Sequence, residues 1–322
     1  MIRIQAVSRL VRLPNLIMVI LTMYLMRWSI VVPLLDLLGF DSVMPEWSFA
    51  LLVISTVLIT AAGNVINDFH DVKADRINSP YRVVIDRFVS RRMAILSHFS
   101  LNFIGASIGV FIALYHWIPW LTLIFLVVPF VLWIYSLSLK HKPLVGNLVV
   151  SILTGTVPLL VILFEYPLLI QKHAAIIVDN PNLFKPVVMW VGLFSLFAFL
   201  SNFIRELIKD GEDVEGDSLA GSRTLAILMG ISHFKRLVFS VASVTLVVLA
   251  LIFFLFLPDK LSLTYFVLLL FFPFIVLLVK VHKVKVAADW KSTSYIAKLI
   301  MFFGLLYAPV AYFLFKSLGN QI

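Results

Sequence analysis

Apolar runs of 17 or more residues recur from one end of this 322-residue chain to the other, and that repetition permits few folds. A run of this length crosses the hydrocarbon of a bilayer as an α-helix. Nine are visible, at 14–38, 49–66, 94–114, 118–137, 144–164, 187–204, 237–257, 261–279 and 296–315. Soluble domains are about 45–50% apolar and about 25% charged. Here the hydrophobic share is 61%, the charged share 13% and the mean hydropathy +1.04. The expected class is all-α, a polytopic membrane protein with nine transmembrane helices, 1–322 forming one domain. The first run is too long for a signal-peptide core and lacks a small-residue cleavage site, so it is expected to stay as a span. Arg27 interrupts it and is expected at the far interface, while Lys298 near the start of the ninth run can snorkel. The absence of cysteine excludes disulfide and thiolate chemistry.

A formal net charge of +9 invites a nucleic-acid reading, but the charge is distributed for another reason. The N-terminus and the segments after runs two, four, six and eight share one side of a nine-span chain. They hold 21 Lys and Arg, counting Lys298, against four on the other side. Such asymmetry places the N-terminus in the cytoplasm and the C-terminus across the cell membrane. No nucleic-acid partner is expected.

Two acidic clusters follow runs two and six, so both are expected on the cytoplasmic side. The first reads Asn67-Asp68-Phe69-His70-Asp71-Val72-Lys73-Ala74-Asp75, and the second Lys209-Asp210-Gly211-Glu212-Asp213-Val214-Glu215-Gly216-Asp217. Asp68 and Asp210 are 142 residues apart, each after the second span of a four-span block. This suggests pseudo-repeat halves at about 1–143 and 144–285, with the ninth span, 296–315, added. On a helix Asp68, Asp71 and Asp75 share one face, as do Asp210, Asp213 and Asp217. Carboxylates so dense beside a bilayer need compensating charge. Oxygen ligands without paired histidines point to Mg²⁺, which takes one or two carboxylates plus phosphate oxygens. The clusters therefore read as a divalent-metal clamp for a diphosphate, with Asn67, Asp68, Asp71, Asp75, Asp210, Asp213 and Asp217 as ligands. Gly211 is expected to weaken its helix by about 1 kcal/mol relative to alanine. Taken singly, either cluster could be a solvated helix end. Two on one face favour the clamp.

Arg82 and Lys140 are candidate diphosphate ligands, each beside a short polar turn, and Lys209 adjoins the second cluster. Arg91, Arg92, Lys283 and Lys285 are better explained by orientation alone. Arg12 and Asn15, near the cytoplasmic end of the first run, are candidate cavity residues. Tyr135, one turn before Leu139-Lys140, is either a cavity residue or an interfacial anchor. No histidine is assigned to a metal.

The first cluster, continuing as Arg76-Ile77-Asn78, and Arg205-Glu206-Leu207-Ile208-Lys209-Asp210-x-Glu212-Asp213-x-Glu215-Gly216-Asp217 resemble the motifs of the UbiA superfamily of intramembrane prenyltransferases. Tyr135-Ser136-x-x-Leu139-Lys140 and Gly146-Asn147 resemble the family's stretch near the fifth span. The resemblance covers nearly the whole chain. It implies a UbiA-like bundle around a cavity open to the cytoplasm and laterally to lipid. It also implies two Mg²⁺ ions on the aspartates and transfer of a prenyl group with release of diphosphate, Asp68, Asp71, Asp213 and Asp217 being catalytic. The second motif is most similar to the branch that alkylates a prenylglycerol phosphate with geranylgeranyl diphosphate. A 4-hydroxybenzoate or dihydroxynaphthoate acceptor is the alternative within the family. An ion-coupled transporter is the alternative outside it, although transporters carry their polar groups near the midplane. One departure stands out: members often have Arg-Pro-Ile-Pro-x-Gly where this chain has Tyr81-Arg82-Val83-Val84-Ile85-Asp86.

Overall fold

The computed structural model describes residues 2–78, 80, 81, 83–257 and 259–319, and the described residues are mostly helical with no strand. A short helix α1 (Ile2–Leu10) precedes α2 (Leu13–Leu37), α3 (Glu46–Asn78), α4 (Arg91–Tyr115), α5 (Pro119–Leu137) and α6 (Val145–Lys172). Then follow α7 (Ala174–Asp179), α8 (Lys185–Glu212), α9 (Val214–Leu219), α10 (Leu225–Phe256), α11 (Lys260–Lys283) and α12 (Ala287–Gly319). All but α1, α7 and α9 are long and apolar enough to cross a membrane, nine among the described residues, as the apolar runs predict. Their outward faces are apolar too: Phe103 is 75% exposed and Phe254 72%. A helix hydrophobic all round needs lipid on its outer side.

The chain divides into two compact units. One comprises Met1–Lys140 and Val157–Val191, the other His141–Thr156 and Gly192–Ile322, so α6 and α8 contribute to both. In the first unit α3 and α4 approach closely where Ser55 donates to the Gly105 carbonyl at 2.6 Å. In the second, Ser195 donates to the Gly155 carbonyl at the same distance. Small residues at such crossings let helix backbones meet without a large side chain between them.

Two spans each contain one π turn, Met26–Val31 in α2 and Phe266–Phe271 in α11. Each lies just before a proline, Pro33 and Pro273. A proline lacks an N–H and its ring crowds the carbonyl four residues back. One extra residue in the turn relieves this, and Val32 and Phe272 accordingly donate five residues back, to the carbonyls of Arg27 and Val267.

The first π turn carries Arg27, which is enclosed by the protein. Arg27 is 2% exposed. Its Nη2 donates to the Met44 carbonyl at 2.5 Å and to Glu46 Oε1 at 2.7 Å, and its Nη1 to Glu165 Oε2 at 3.3 Å. The guanidinium also lies 4.6 Å from the centre of the Phe49 ring. Glu165, fully buried on α6, accepts from the amides of Val43 and Met44. A charge in a membrane helix persists only when paired in this way. The network ties α2, the start of α3 and α6 to the segment joining α2 to α3.

Removing one member of a buried pair strands the other. Glu165→Leu is therefore expected to lower stability by about 3–5 kcal/mol, and Arg27→Met with Glu165→Leu by less than the two single losses together. Thermal unfolding in detergent measures this, and strictly additive losses would contradict the pairing.

Candidate functional site

In the first unit the helix of the second span does not stop at the apolar boundary. α3 runs 33 residues to Asn78, so the first acidic cluster is helical throughout and its aspartates lie along one face, as expected. Asn67 is buried. Lys140, just after α5, is 9% exposed and donates to Asp71 Oδ1 at 2.5 Å and to Asn67 Oδ1 at 3.3 Å. Arg12 donates to Asp68 Oδ1 at 2.6 Å. The structure thus brings together Arg12, Asn67, Asp68, Asp71 and Lys140.

Local structure explains why Arg12 is there. It occupies the left-handed region (φ 54) at the break between α1 and α2, just before Leu13-Pro14. Asn64 of α3 donates to the Val11 carbonyl at 2.8 Å and pins that break. Ala6 and Leu10 of α1 pack with Val65, Val72, Val84, Ile85 and Ala94. Burial opposes the charge of Arg12, but Asp68, by attraction and hydrogen bond, with Asp71 and Asp75 beyond it, holds the guanidinium above its ordinary range.

The same cluster accounts for the departure from the family loop. Val84 and Ile85 pack into it, and Asp86 adopts φ 67, a conformation natural to glycine and tolerated by aspartate. Arg91 grips Asp86 with two nitrogens at 3.1 Å, and Arg76 adds a contact at 3.4 Å. These arginines hold the Asp86 carboxyl below its ordinary range, the Arg91 hydrogen bond contributing most. Arg82 lies outside the described residues. Asn15 is exposed on the first turn of α2, and Tyr135 is half-buried one turn before Lys140.

In the second unit the expectation of one continuous helical face needs correction. α8 ends at Glu212, Asp213 takes φ −95 and ψ 5, and α9 starts at Val214. Asp210 therefore belongs to α8, Asp213 to the bend and Asp217 to α9. Backbone bonds still bridge the bend, from Asp213 to Lys209 at 2.9 Å and from Asp217 to Asp213 at 3.0 Å. Asp210 accepts from Asn147 Nδ2 at 2.9 Å. Asn147, buried in the first turn of α6, is absent from the expected ligands, although the Gly146-Asn147 pair marks its position. Lys209 is half-buried beside Asp210.

Gly211 also has a reason that helix propensity does not reveal. A Cβ there would sit 2.6 Å from the indole of Trp290, a fully buried residue at the start of α12. Beyond α9, Gly221 (φ 84) turns the chain, and Ser222 donates back to the Asp217 carbonyl at 2.9 Å. Ser222 Oγ meets His141 Nδ1 at 2.8 Å, fixing the segment after the motif.

Among the described residues no three His, Asp or Glu side chains converge into a ready-made metal cage. The donors are carboxylate and amide oxygens, with cationic side chains on two of the carboxylates. That set suits a hard cation held by a few carboxylates and completed by phosphate oxygens, rather than an all-protein cage.

The UbiA prenyltransferase family matches residues 16–306, and the chain belongs to that family. A digeranylgeranylglyceryl phosphate synthase from Thermococcus kodakarensis is 36% identical over 188 residues, 58% of this chain and 59% of that protein. The chain thus spans about three fifths of that relative's length. One from Korarchaeum cryptofilum is 32% identical over 254 residues, 77% of this chain and 80% of its own. Among solved structures, one concerning digeranylgeranylglyceryl phosphate synthase in membranes aligns with a TM-score of 0.62 at 22% identity, covering 97% of this chain and 99% of that one. A UbiA homologue from Archaeoglobus fulgidus bound to GPP and Mg²⁺ aligns with a TM-score of 0.53 at 14% identity, covering 95% and 99%. These two likenesses establish the fold.

The Gly211–Trp290 contact yields a sharp expectation. Gly211→Ala gains about 1 kcal/mol of helix propensity but overpacks the indole, at about 1–3 kcal/mol. The unfolding temperature should fall. A raised unfolding temperature would show that the close packing is not needed.

Proposed function

We propose that this protein transfers a prenyl group, geranylgeranyl, from its diphosphate to a prenylglycerol phosphate in the membrane and releases diphosphate. The observation that carries this reading is the oxygen-only face of α3, whose Asp68 and Asp71 are paired with Arg12 and Lys140 at the end of an apolar span. The names of the archaeal relatives support the acceptor, and the GPP and Mg²⁺ of the Archaeoglobus homologue support the donor class and the metal.

Asn67, Asp68, Asp71 and Asp75, with Asp210, Asp213 and Asp217, would hold two Mg²⁺ ions. Bound there, Mg²⁺ supplies Lewis-acid stabilisation to the departing diphosphate. Lys140, Arg12, Lys209 and Arg82 donate to diphosphate oxygens, where negative charge grows as the allylic C–O bond breaks. Asn147 orients Asp210, and the chain bends at Asp213 within the second acidic segment. The spans hold the isoprenoid tail and exclude water, which would otherwise capture the allylic carbon in place of the acceptor hydroxyl.

The orientation belongs to this proposal, with the N-terminus and both acidic segments on the cytoplasmic face. Cysteine introduced at the exposed Ser90 should be labelled only from the cytoplasmic side and at the exposed Asn180 only from the other. Labelling of both from one side would overturn the nine-span orientation.

Asp71→Ala and Asp213→Ala should each abolish turnover while the protein remains folded in the membrane, and EDTA should inhibit reversibly. Wild-type rates in both variants would remove the metal assignment. Mass spectrometry of products separates the acceptors. Geranylgeranyl diphosphate with geranylgeranylglyceryl phosphate should give product, and with 4-hydroxybenzoate little. A better specificity constant for the aromatic acid would overturn the acceptor while leaving the chemistry. No diphosphate release with any acceptor would favour a transporter.

A further inference from the structure

Arg12 and Lys140 have a second consequence, which rests on the metal and diphosphate reading above. Each takes one carboxylate oxygen that a divalent cation would need: Asp68 Oδ1 at 2.6 Å and Asp71 Oδ1 at 2.5 Å. Lys140 also contacts the side-chain oxygen of Asn67 at 3.3 Å and its backbone carbonyl at 3.5 Å, so it covers the amide donor as well. Neither cation is a fully exposed surface charge, the Arg12 side chain being 32% exposed. Lys140 is 9% exposed, and Arg12 is fixed by the break between α1 and α2, whose Val11 carbonyl is bound by Asn64.

We infer that Arg12 and Lys140 are built-in counter-ions that occupy the aspartate face until diphosphate arrives, so that the divalent cation binds together with diphosphate and only weakly before it. The physical reason is an exchange of partners. Three carboxylates at Asp68, Asp71 and Asp75 face two protein cations. A bare divalent ion taking those oxygens must displace Arg12 or Lys140 and leave it beside like charge, for Lys140 in a poorly hydrated place. Such a displaced cation is costly unless another anion receives it. The diphosphate is that anion. Lys140 and Arg12 move to its oxygens, and Asp68, Asp71 and the Asn67 amide are released as ligands. Each ligand then raises the affinity for the other by the same factor, as linkage requires. For the reaction, this order keeps the ionising machinery incomplete until the leaving group is present.

Binding rather than turnover tests this. Mn²⁺ binding to the purified protein in detergent, read by electron paramagnetic resonance, would be measured alone and with a non-ionising thiolodiphosphate analogue of the donor. Wild type should bind Mn²⁺ about tenfold or more tightly when the analogue is present. In Lys140→Gln, Mn²⁺ alone should bind more tightly than in wild type, and the analogue should add less than about threefold. Arg12→Gln should move in the same direction, and Lys140→Arg, which keeps a cation on Asp71, should retain most of the wild-type coupling. Unfolding temperatures identify any variant that fails to fold, and Arg12→Gln and Lys140→Gln test the same claim through different partners. Equal Mn²⁺ affinity with and without the analogue in wild type would overturn the counter-ion role, as would unaltered coupling in both glutamine variants. No Mn²⁺ binding under either condition would overturn it too, together with the metal reading on which it rests.

Discussion

Carboxylates at the end of a membrane helix must be balanced by something, and in this protein the balance is supplied from within. The pairing of Asp68 with Arg12 and of Asp71 with Lys140 organises the first unit around one face of α3. Much of the local structure serves to bring those two cations there. α1 is anchored through Ala6 and Leu10, the helix breaks at a left-handed Arg12, and Asn64 holds the break. The segment between α3 and α4 completes the same cluster with Val84 and Ile85 and is closed by Asp86 between Arg76 and Arg91. A structure that concentrates anionic oxygen and cationic nitrogen at one place is suited to a ligand carrying both a phosphate anion and a metal cation.

The second unit meets the same requirement differently. Asp210 is held by the Asn147 amide, and the motif bends at Asp213 instead of running on as one helix. Gly211 admits the Trp290 indole against α8, and Gly221 returns the chain so that Ser222 can reach both the Asp217 carbonyl and His141. The second acidic segment is therefore held by packing and backbone bonds, where the first is held by ion pairs.

Much of this is legible in the chain, and the illegible parts have identifiable causes. Long apolar runs give the nine spans directly, because in lipid a backbone of that length has little choice but to be helical. The spacing of Asp68, Asp71 and Asp75 gives their shared face because α3 continues unbroken through them. The same spacing misleads at Asp210, Asp213 and Asp217, since periodicity cannot register a single bent residue. Propensity treats Gly211 as a weakness because the neighbour that requires it, Trp290, is 79 residues away. Arg27 shows the limit most clearly. Its partners Met44, Glu46 and Glu165 lie 17, 19 and 138 residues along the chain, and a proline-induced π turn precedes them, so no local pattern marks it as buried. Where family members often have Pro-Ile-Pro, apolar Val84 and Ile85 supply packing here and Asp86 adopts the glycine-like conformation.

The most direct measurement is a structure of the protein with Mg²⁺ and a non-ionising diphosphate analogue. Asp68 and Asp71 should be on metal, with Arg12 and Lys140 moved onto diphosphate oxygens. Diphosphate bound elsewhere, with the Arg12–Asp68 and Lys140–Asp71 pairs intact, would contradict it.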